Sequence, residues 1–282
     1  FGASTLIRLI SSLVLTRIFL PDVFGLMAII TAIMIGIELI SDVGIGSSII
    51  QNRRGEESEF LKTAWSIQVI RGFILWAGIC LLATPAAFYY SEPDLIYMLP
   101  VVGMSLAIRG FSSTSFHLYR RKLYVKQIVI LDLVIQFVAL VLTIFLAYLF
   151  KNIWAFIISG VFTTLVRTIG TFLFLDGGKN SFLLDKTAIL EIVRFGKWIF
   201  LATLLTFLLG QGDRLILGGF LSKHDLGLYN LAAMLSQLPL AIFLAIQGKI
   251  ILPALTEVQN HSPLAFSEQL NKTRKWLIAG LI

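Results

Sequence analysis

Residues 127–149 read QIVILDLVIQFVALVLTIFLAYL, with Asp132 as the single charge. At 1.5 Å of rise per residue a helix over this run is ~35 Å long, enough to cross a hydrocarbon core ~30 Å thick. Neither Pro nor Gly interrupts it. Lipid is therefore the solvent this segment is written for. Working outward, further apolar windows of spanning length cover 1–20, 23–46, 63–88, 95–117, 153–175, 196–220 and 226–247, and another opens near residue 275. The sequence thus predicts an all-α, polytopic membrane helix bundle with eight complete spans and the start of a ninth.

Composition agrees. The chain is 57% hydrophobic and only 14% charged, with a mean hydropathy of +0.88; soluble domains hold about 45–50% apolar and ~25% charged residues. Cys80 is the only cysteine, which excludes a disulfide framework and a Cys-based metal site. No pair of histidines has metal-ligand spacing, and no Walker-type Gly-Lys-Ser/Thr is present. Phe1 and the run KWLIAGLI at 275–282 both lie inside apolar stretches. A fragment of a longer protein is the expectation.

The net charge of +7 invites a nucleic-acid reading, but the placement of the charges argues against one. The connections after the even-numbered spans hold fifteen of the 23 Lys and Arg residues, among them Arg53, Arg54, Arg120, Arg121 and Lys122. The tight turns after the odd-numbered spans hold two, Lys151 and Lys223. By the positive-inside rule the basic connections face the cytoplasm. The short outer turns leave little room for an extracytoplasmic catalytic domain, which weighs against a membrane enzyme of glycan assembly.

An internal repeat emerges once the spans are numbered. Phe19-Leu20-Pro21-Asp22-Val23-Phe24-Gly25-Leu26 follows span one, and Phe220-Leu221-Ser222-Lys223-His224-Asp225-Leu226-Gly227-Leu228 follows span seven. Both carry Phe-Leu, a polar stretch, then Gly-Leu opening the next helix, six spans apart. An even offset gives a parallel repeat about an axis along the membrane normal. The expected domains are a six-helix lobe over 1–174, a cytoplasmic linker over 175–195, and the start of an incomplete second lobe over 196–282. Pro21, Gly25 and Gly227 are read as its structural turns.

Ionisable groups inside spans are costly and are usually retained for a reason. Arg8 is the deepest in span one, on a stripe with Ser4, Ser11, Ser12 and Thr16 that ends near Arg17. Glu38 and Asp42 lie close to one face of span two, and span seven carries Thr203, Thr206 and then Asp213-Arg214. Arg8, Arg17 and Arg214 are the anion-binding candidates; Glu38, Asp42 and Asp213 are the cavity or coupling candidates. Arg17, Arg71, Arg109 and Arg167 also lie close enough to an interface to snorkel, which reads as structural.

Several of these segments resemble a known family. Leu15 to Leu26 is similar to the first-turn signature of bacterial polysaccharide exporters, as is Asp42-Val43-Gly44-Ile45-Gly46 followed by Ile50-Gln51. Arg194-Phe195-Gly196, Asp213 to Gly218, Leu226-Gly227-Leu228-Tyr229, Leu238-Pro239-Leu240 and Pro253-Ala254-Leu255 resemble the second-half pattern, in order. The resemblance is to the polysaccharide and O-antigen flippases of the multidrug/oligosaccharidyl-lipid/polysaccharide exporter superfamily, and most to the colanic-acid-exporter-like branch.

It implies two lobes around a central cavity in the bacterial cytoplasmic membrane. It also implies alternating access that flips an undecaprenyl-pyrophosphate-linked oligosaccharide for cell-surface polysaccharide biosynthesis. No catalytic residue, cofactor, metal or nucleic acid is implied. A coupling ion, Na+ or H+, and a polysaccharide polymerase partner remain open, and a cation-coupled multidrug exporter of the same superfamily is the alternative.

The orientation has a direct check. Cysteines placed at Ser91 and Ser222 are expected to react with an impermeant thiol reagent from outside the cell, and those at Asn52 and Ser181 only from inside. The reverse pattern overturns the topology.

Overall fold

Inside a bilayer every backbone N–H and C=O must find a partner within the protein, which leaves helices as the simplest solution. The computed structural model describes residues 14–41, 44–175 and 180–246. All regular structure among them is helical: residues 14–18, then α1 (Pro21–Ile40), α2 (Ile45–Gln51), α3 (Ser58–Tyr90), α4 (Leu95–Gly110), α5 (Ser115–Arg121), α6 (Val125–Phe150), α7 (Trp154–Leu173), α8 (Lys186–Leu217) and α9 (Lys223–Ile246). Two compact units divide the chain, 1–228 and 229–282. The second unit's described residues are the rest of α9, and the contacts below all lie within the first.

Five of these helices are long and apolar enough to cross a membrane, and the bent pair α4–α5 brings the number to six among the described residues. The first predicted span lies mostly outside the described residues, as does any ninth. On α6, Val134, Phe137, Val141, Phe145 and Tyr148 are all exposed at helical spacing. An apolar stripe turned outward is the mark of a helix solvated by lipid.

The predicted span 95–117 is not one helix. It breaks after Gly110, and α5 leaves at 62° to α4. Groups from other helices satisfy the break. The Gln68 amide donates to the carbonyls of Arg109, Gly110 and Ser112. Thr168 donates to the Ile108 carbonyl, and the Ser113 N–H donates to the Thr171 hydroxyl at 3.0 Å. Such rescue is what lets irregular backbone persist at membrane depth. At the same level α3 and α4 touch backbone to backbone: a Cβ on Gly72 would lie 2.8 Å from the Leu106 carbonyl oxygen.

Helix α8 also starts earlier than the hydropathy window, at Lys186, so the second half of the stretch read as a connection is helical. Asp185 is its N-cap, accepting the Ala188 N–H at 2.9 Å. A hydrogen bond from the Thr187 hydroxyl, then the one from Ala188, hold this exposed carboxyl below the ordinary carboxylate range.

The alternation of connections is visible in space. At the basic end, Asn52 and Arg54 donate to the Glu191 carboxylate, and Arg121 donates to the Ile49 and Ile50 carbonyls that close α2. Ile49, Phe60, Ala188 and Ile192 form a buried apolar cluster beneath them. At the opposite end the two turns that read as copies meet. A Cβ on Gly25 would lie 2.0 Å from the Lys223 carbonyl oxygen and 3.2 Å from the Gly227 nitrogen; one on Gly227 would lie 1.9 Å from the Pro21 oxygen and 3.1 Å from the Gly25 nitrogen.

The contact is reciprocal, atom type for atom type, and only glycine on both sides permits it. Asp22 and His224 approach to 3.1 Å across it, and Lys223 reaches Glu92 of the α3–α4 turn at 3.1 Å. Gly25→Ala and Gly227→Ala should each destabilise the protein by ~1–3 kcal/mol through overpacking. Because they crowd one shared contact, the double variant should lose clearly less than the sum. Thermal unfolding of detergent-solubilised protein measures this, and additive losses would contradict the reciprocal contact.

Candidate functional site

A cavity of ≈ 600 Å³ opens between the helices of the first unit, lined by α1 to α7. Among the described residues its lining includes four arginines, Arg71 of α3, Arg109 of α4, Arg120 of α5 and Arg167 of α7, and one carboxylate, Glu38 of α1. Depth follows from helix rise. Arg167 lies ~20 Å of helix from Trp154, Arg109 ~21 Å from Leu95, Glu38 ~26 Å from Pro21 and Arg71 ~28 Å from Tyr90. All four counts start at the short-turn end, so these charges form a layer in the half of the bundle nearer the basic connections.

Each group is placed by a specific contact. Arg109 and Glu38 form an ion pair through Nη1 and Oε1. Arg71 Nη2 donates to the backbone carbonyl of Glu38 at 2.7 Å and to the Ser41 hydroxyl at 2.9 Å. Arg167 donates to Asp132 at 2.7 Å. Arg120 and Arg167 both sit against the Phe116 ring, 5.3 and 5.7 Å from its centroid. That cation–π geometry holds them near one another despite like charge.

The remaining wall is mixed: Ser47, Ser112, Ser113, Thr163, Thr164 and Thr171 supply hydroxyls, between apolar residues such as Ile50, Leu75, Leu106 and Ile135. His117 of α5 closes on Gly46, where a Cβ would meet the imidazole at 2.6 Å.

Exposure decides how firmly the pairs are held. Arg109 and Glu38 are 51% and 34% exposed, and Arg167 and Asp132 are 43% and 34% exposed. Ion pairs this accessible contribute only about 0–1 kcal/mol. They keep the arginines hydrated and oriented while leaving them exchangeable. Among the described residues no three His, Cys, Asp or Glu side chains gather as metal ligands. The chemistry on offer is recognition: delocalised cations for an anion, and hydroxyls for a polar, hydroxyl-rich ligand.

The candidates from sequence divide sharply here. Glu38 lines the cavity. Arg8 and Asp42 lie outside the described residues. Arg17 is exposed near the short-turn end and does not line the cavity. Arg214 donates to Gln211 at 2.7 Å on its own helix, and it and Asp213 are also absent from the lining. Pro21, Gly25 and Gly227 make the reciprocal contact. Arg71, Arg109 and Arg167, read as snorkelling residues, line the cavity together with Arg120 from a basic connection. Their similar distance from the short-turn ends was the available signal.

The family described as Polysaccharide biosynthesis protein matches residues 14–275. Among curated relatives, the chain is 19% identical to the succinoglycan biosynthesis transport protein ExoT of Rhizobium meliloti (strain 1021), over 88% of this chain and 50% of the relative. It is 20% identical to the teichuronic acid biosynthesis protein TuaB of Bacillus subtilis (strain 168), over 84% of this chain and 49% of the relative. To the lipopolysaccharide biosynthesis protein WzxC of Escherichia coli (strain K12) it is 22% identical, over 89% and 51%. The chain spans about half the length of these relatives. No solved structure matches it. A multi-pass helical bundle, a hydroxylated cavity rich in arginine and a match across most of its length together place this chain in the polysaccharide biosynthesis protein family.

Proposed function

We propose that the protein is a flippase that carries a lipid-linked oligosaccharide, attached through undecaprenyl pyrophosphate, across the bacterial cytoplasmic membrane by alternating access. The observation that carries this reading is a cavity within membrane helices lined by Arg71, Arg109 and Arg167 at similar depth, by Arg120, and by six Ser and Thr residues. A glycan headgroup with a pyrophosphate needs hydrogen-bonding groups and positive charge along its path, while its lipid tail stays in hydrocarbon. Guanidinium forks match phosphate oxygens better than point charges do. A cation-coupled drug exporter would favour the opposite balance, carboxylates over arginines.

In this reading the basic connections are cytoplasmic, following the positive-inside rule. The arginine layer then sits in the cytoplasmic half of the membrane, where the substrate arrives. In the same reading the reciprocal Gly25–Gly227 contact holds the two turns together at the outer end while the substrate loads from inside. The two turns belong to two lobes related by an axis along the membrane normal, with eight spans in the present chain. Arg8, and Arg17 and Arg214 nearer the outer end, belong to the same path at later points of the cycle.

Export of labelled lipid-linked oligosaccharide in a strain lacking the gene tests the function. Arg71→Ala and Arg109→Ala are each expected to lower it at least ~10-fold, as the loss of a charge-assisted hydrogen bond implies, with unchanged abundance in the membrane. The precursor should accumulate on the cytoplasmic leaflet. Normal export by both variants would sink the proposal.

A further inference from the structure

Among the described residues that line the cavity, the one carboxylate is oddly placed for a structural anchor. Glu38 lies in the last turn of α1, which ends at Ile40, where the partial negative charge of the helix terminus disfavours an anion. It shares the cavity lining with four cationic groups, Arg71, Arg109, Arg120 and Arg167, and its side chain is 34% exposed. Two of those groups converge on the same residue from different helices: Arg109 takes its carboxylate and Arg71 its backbone carbonyl oxygen.

We propose that Glu38 is a built-in stand-in for the substrate's phosphate: it occupies Arg109 in the empty cavity, and an incoming pyrophosphate displaces it. The inference rests on the reading that this cavity receives the substrate.

The chemistry favours exchange over coexistence. Glu38 engages Arg109 through one contact, Nη1 to Oε1. A pyrophosphate presents enough acceptor oxygens for Arg109 and Arg71 together, and charge-assisted bonds to phosphate are the stronger kind. Glu38 and the phosphate cannot both hold Arg109 without placing two anions side by side, so the side chain must swing into the cavity as the ligand enters. The device keeps a multi-arginine site from standing bare between cycles, and it lowers the affinity for any anion too weak to evict the carboxylate. Phosphate is thereby selected over carboxylate by competition at the same fork.

The consequence has an unusual sign. Removing a cavity side chain that touches no ligand in the bound state should improve binding. With the intact protein in phosphatidylcholine nanodiscs, titration with inorganic pyrophosphate should show Glu38→Gln binding about three- to fivefold tighter than wild type, the scale set by an exposed ion pair. Glu38→Asp, one methylene short of Arg109, should fall between the two, and it carries the test alone if Glu38→Gln does not fold. Arg109→Ala should bind at least ~10-fold more weakly. Glucuronate, a monocarboxylate, should bind wild type far more weakly than pyrophosphate and gain proportionately more from Glu38→Gln. If Arg109→Ala weakens pyrophosphate binding while neither Glu38 variant tightens it, Glu38 is a structural partner and the inference fails with the cavity reading intact. If Arg109→Ala leaves pyrophosphate binding unchanged, the cavity reading itself fails.

Discussion

A guanidinium group cannot stand in hydrocarbon without a partner or water, and that constraint organises this molecule. Arg71, Arg109 and Arg167 lie on three membrane-depth helices, and each is held by an oxygen from another helix: the Glu38 carbonyl, the Glu38 carboxylate and Asp132. Those oxygens join α1 to α3 and α4, and α6 to α7, at one level of the bundle. The broken α4–α5 pair follows from the same need. Its freed backbone groups are satisfied by Gln68, Thr168 and Thr171, of which Gln68 and Thr171 line the cavity. A cavity therefore results from polar groups that lipid rejects finding one another, with the apolar faces of α6 and its neighbours turned outward.

The two ends of the bundle are built differently. At the basic end, long-range hydrogen bonds and ion pairs join residues 52–57, 121 and 183–191, with exposed partners that contribute little each. At the short-turn end, Gly25 and Gly227 let two helix termini meet backbone to backbone. Close van der Waals packing of small residues is the means of helix association that survives in lipid, where the hydrophobic effect between helices is absent. A tight end and a polar, hydrated end suit a carrier that loads from one side.

Much of the fold was legible in the sequence because lipid imposes length and composition on each helix. The run 127–149 falls within α6, Val125–Phe150, and 153–175 agrees with α7, Trp154–Leu173. The break after Gly110 was not legible. Ser112, Ser113 and Thr114 are compatible with a continuing helix, and what stabilises the break comes from residues more than forty positions away. The cavity's arginines were less legible for a related reason. In the apolar window 63–88, Arg71 lies only eight residues from one edge. The helix begins at Ser58, so Arg71 lies ~20 Å along it. For Arg71 the true helix start adds that depth, whereas Arg109 and Arg167 already lie equally far from the short turns in the sequence windows. The Phe-Leu…Gly-Leu likeness was visible, but that the two copies touch is a tertiary fact with no trace in either segment alone.

The central claim is that the arginine-lined cavity receives the substrate from the cytoplasmic side. Thr164 lines that cavity, and Cys80, an exposed residue of α3, can be changed to serine to remove background labelling. With Thr164→Cys in inside-out vesicles, an impermeant thiol reagent should label the cavity, and lipid-linked oligosaccharide pyrophosphate should protect it in proportion to occupancy. Labelling that is absent from this side, or that proceeds at the same rate with saturating substrate, would contradict the account.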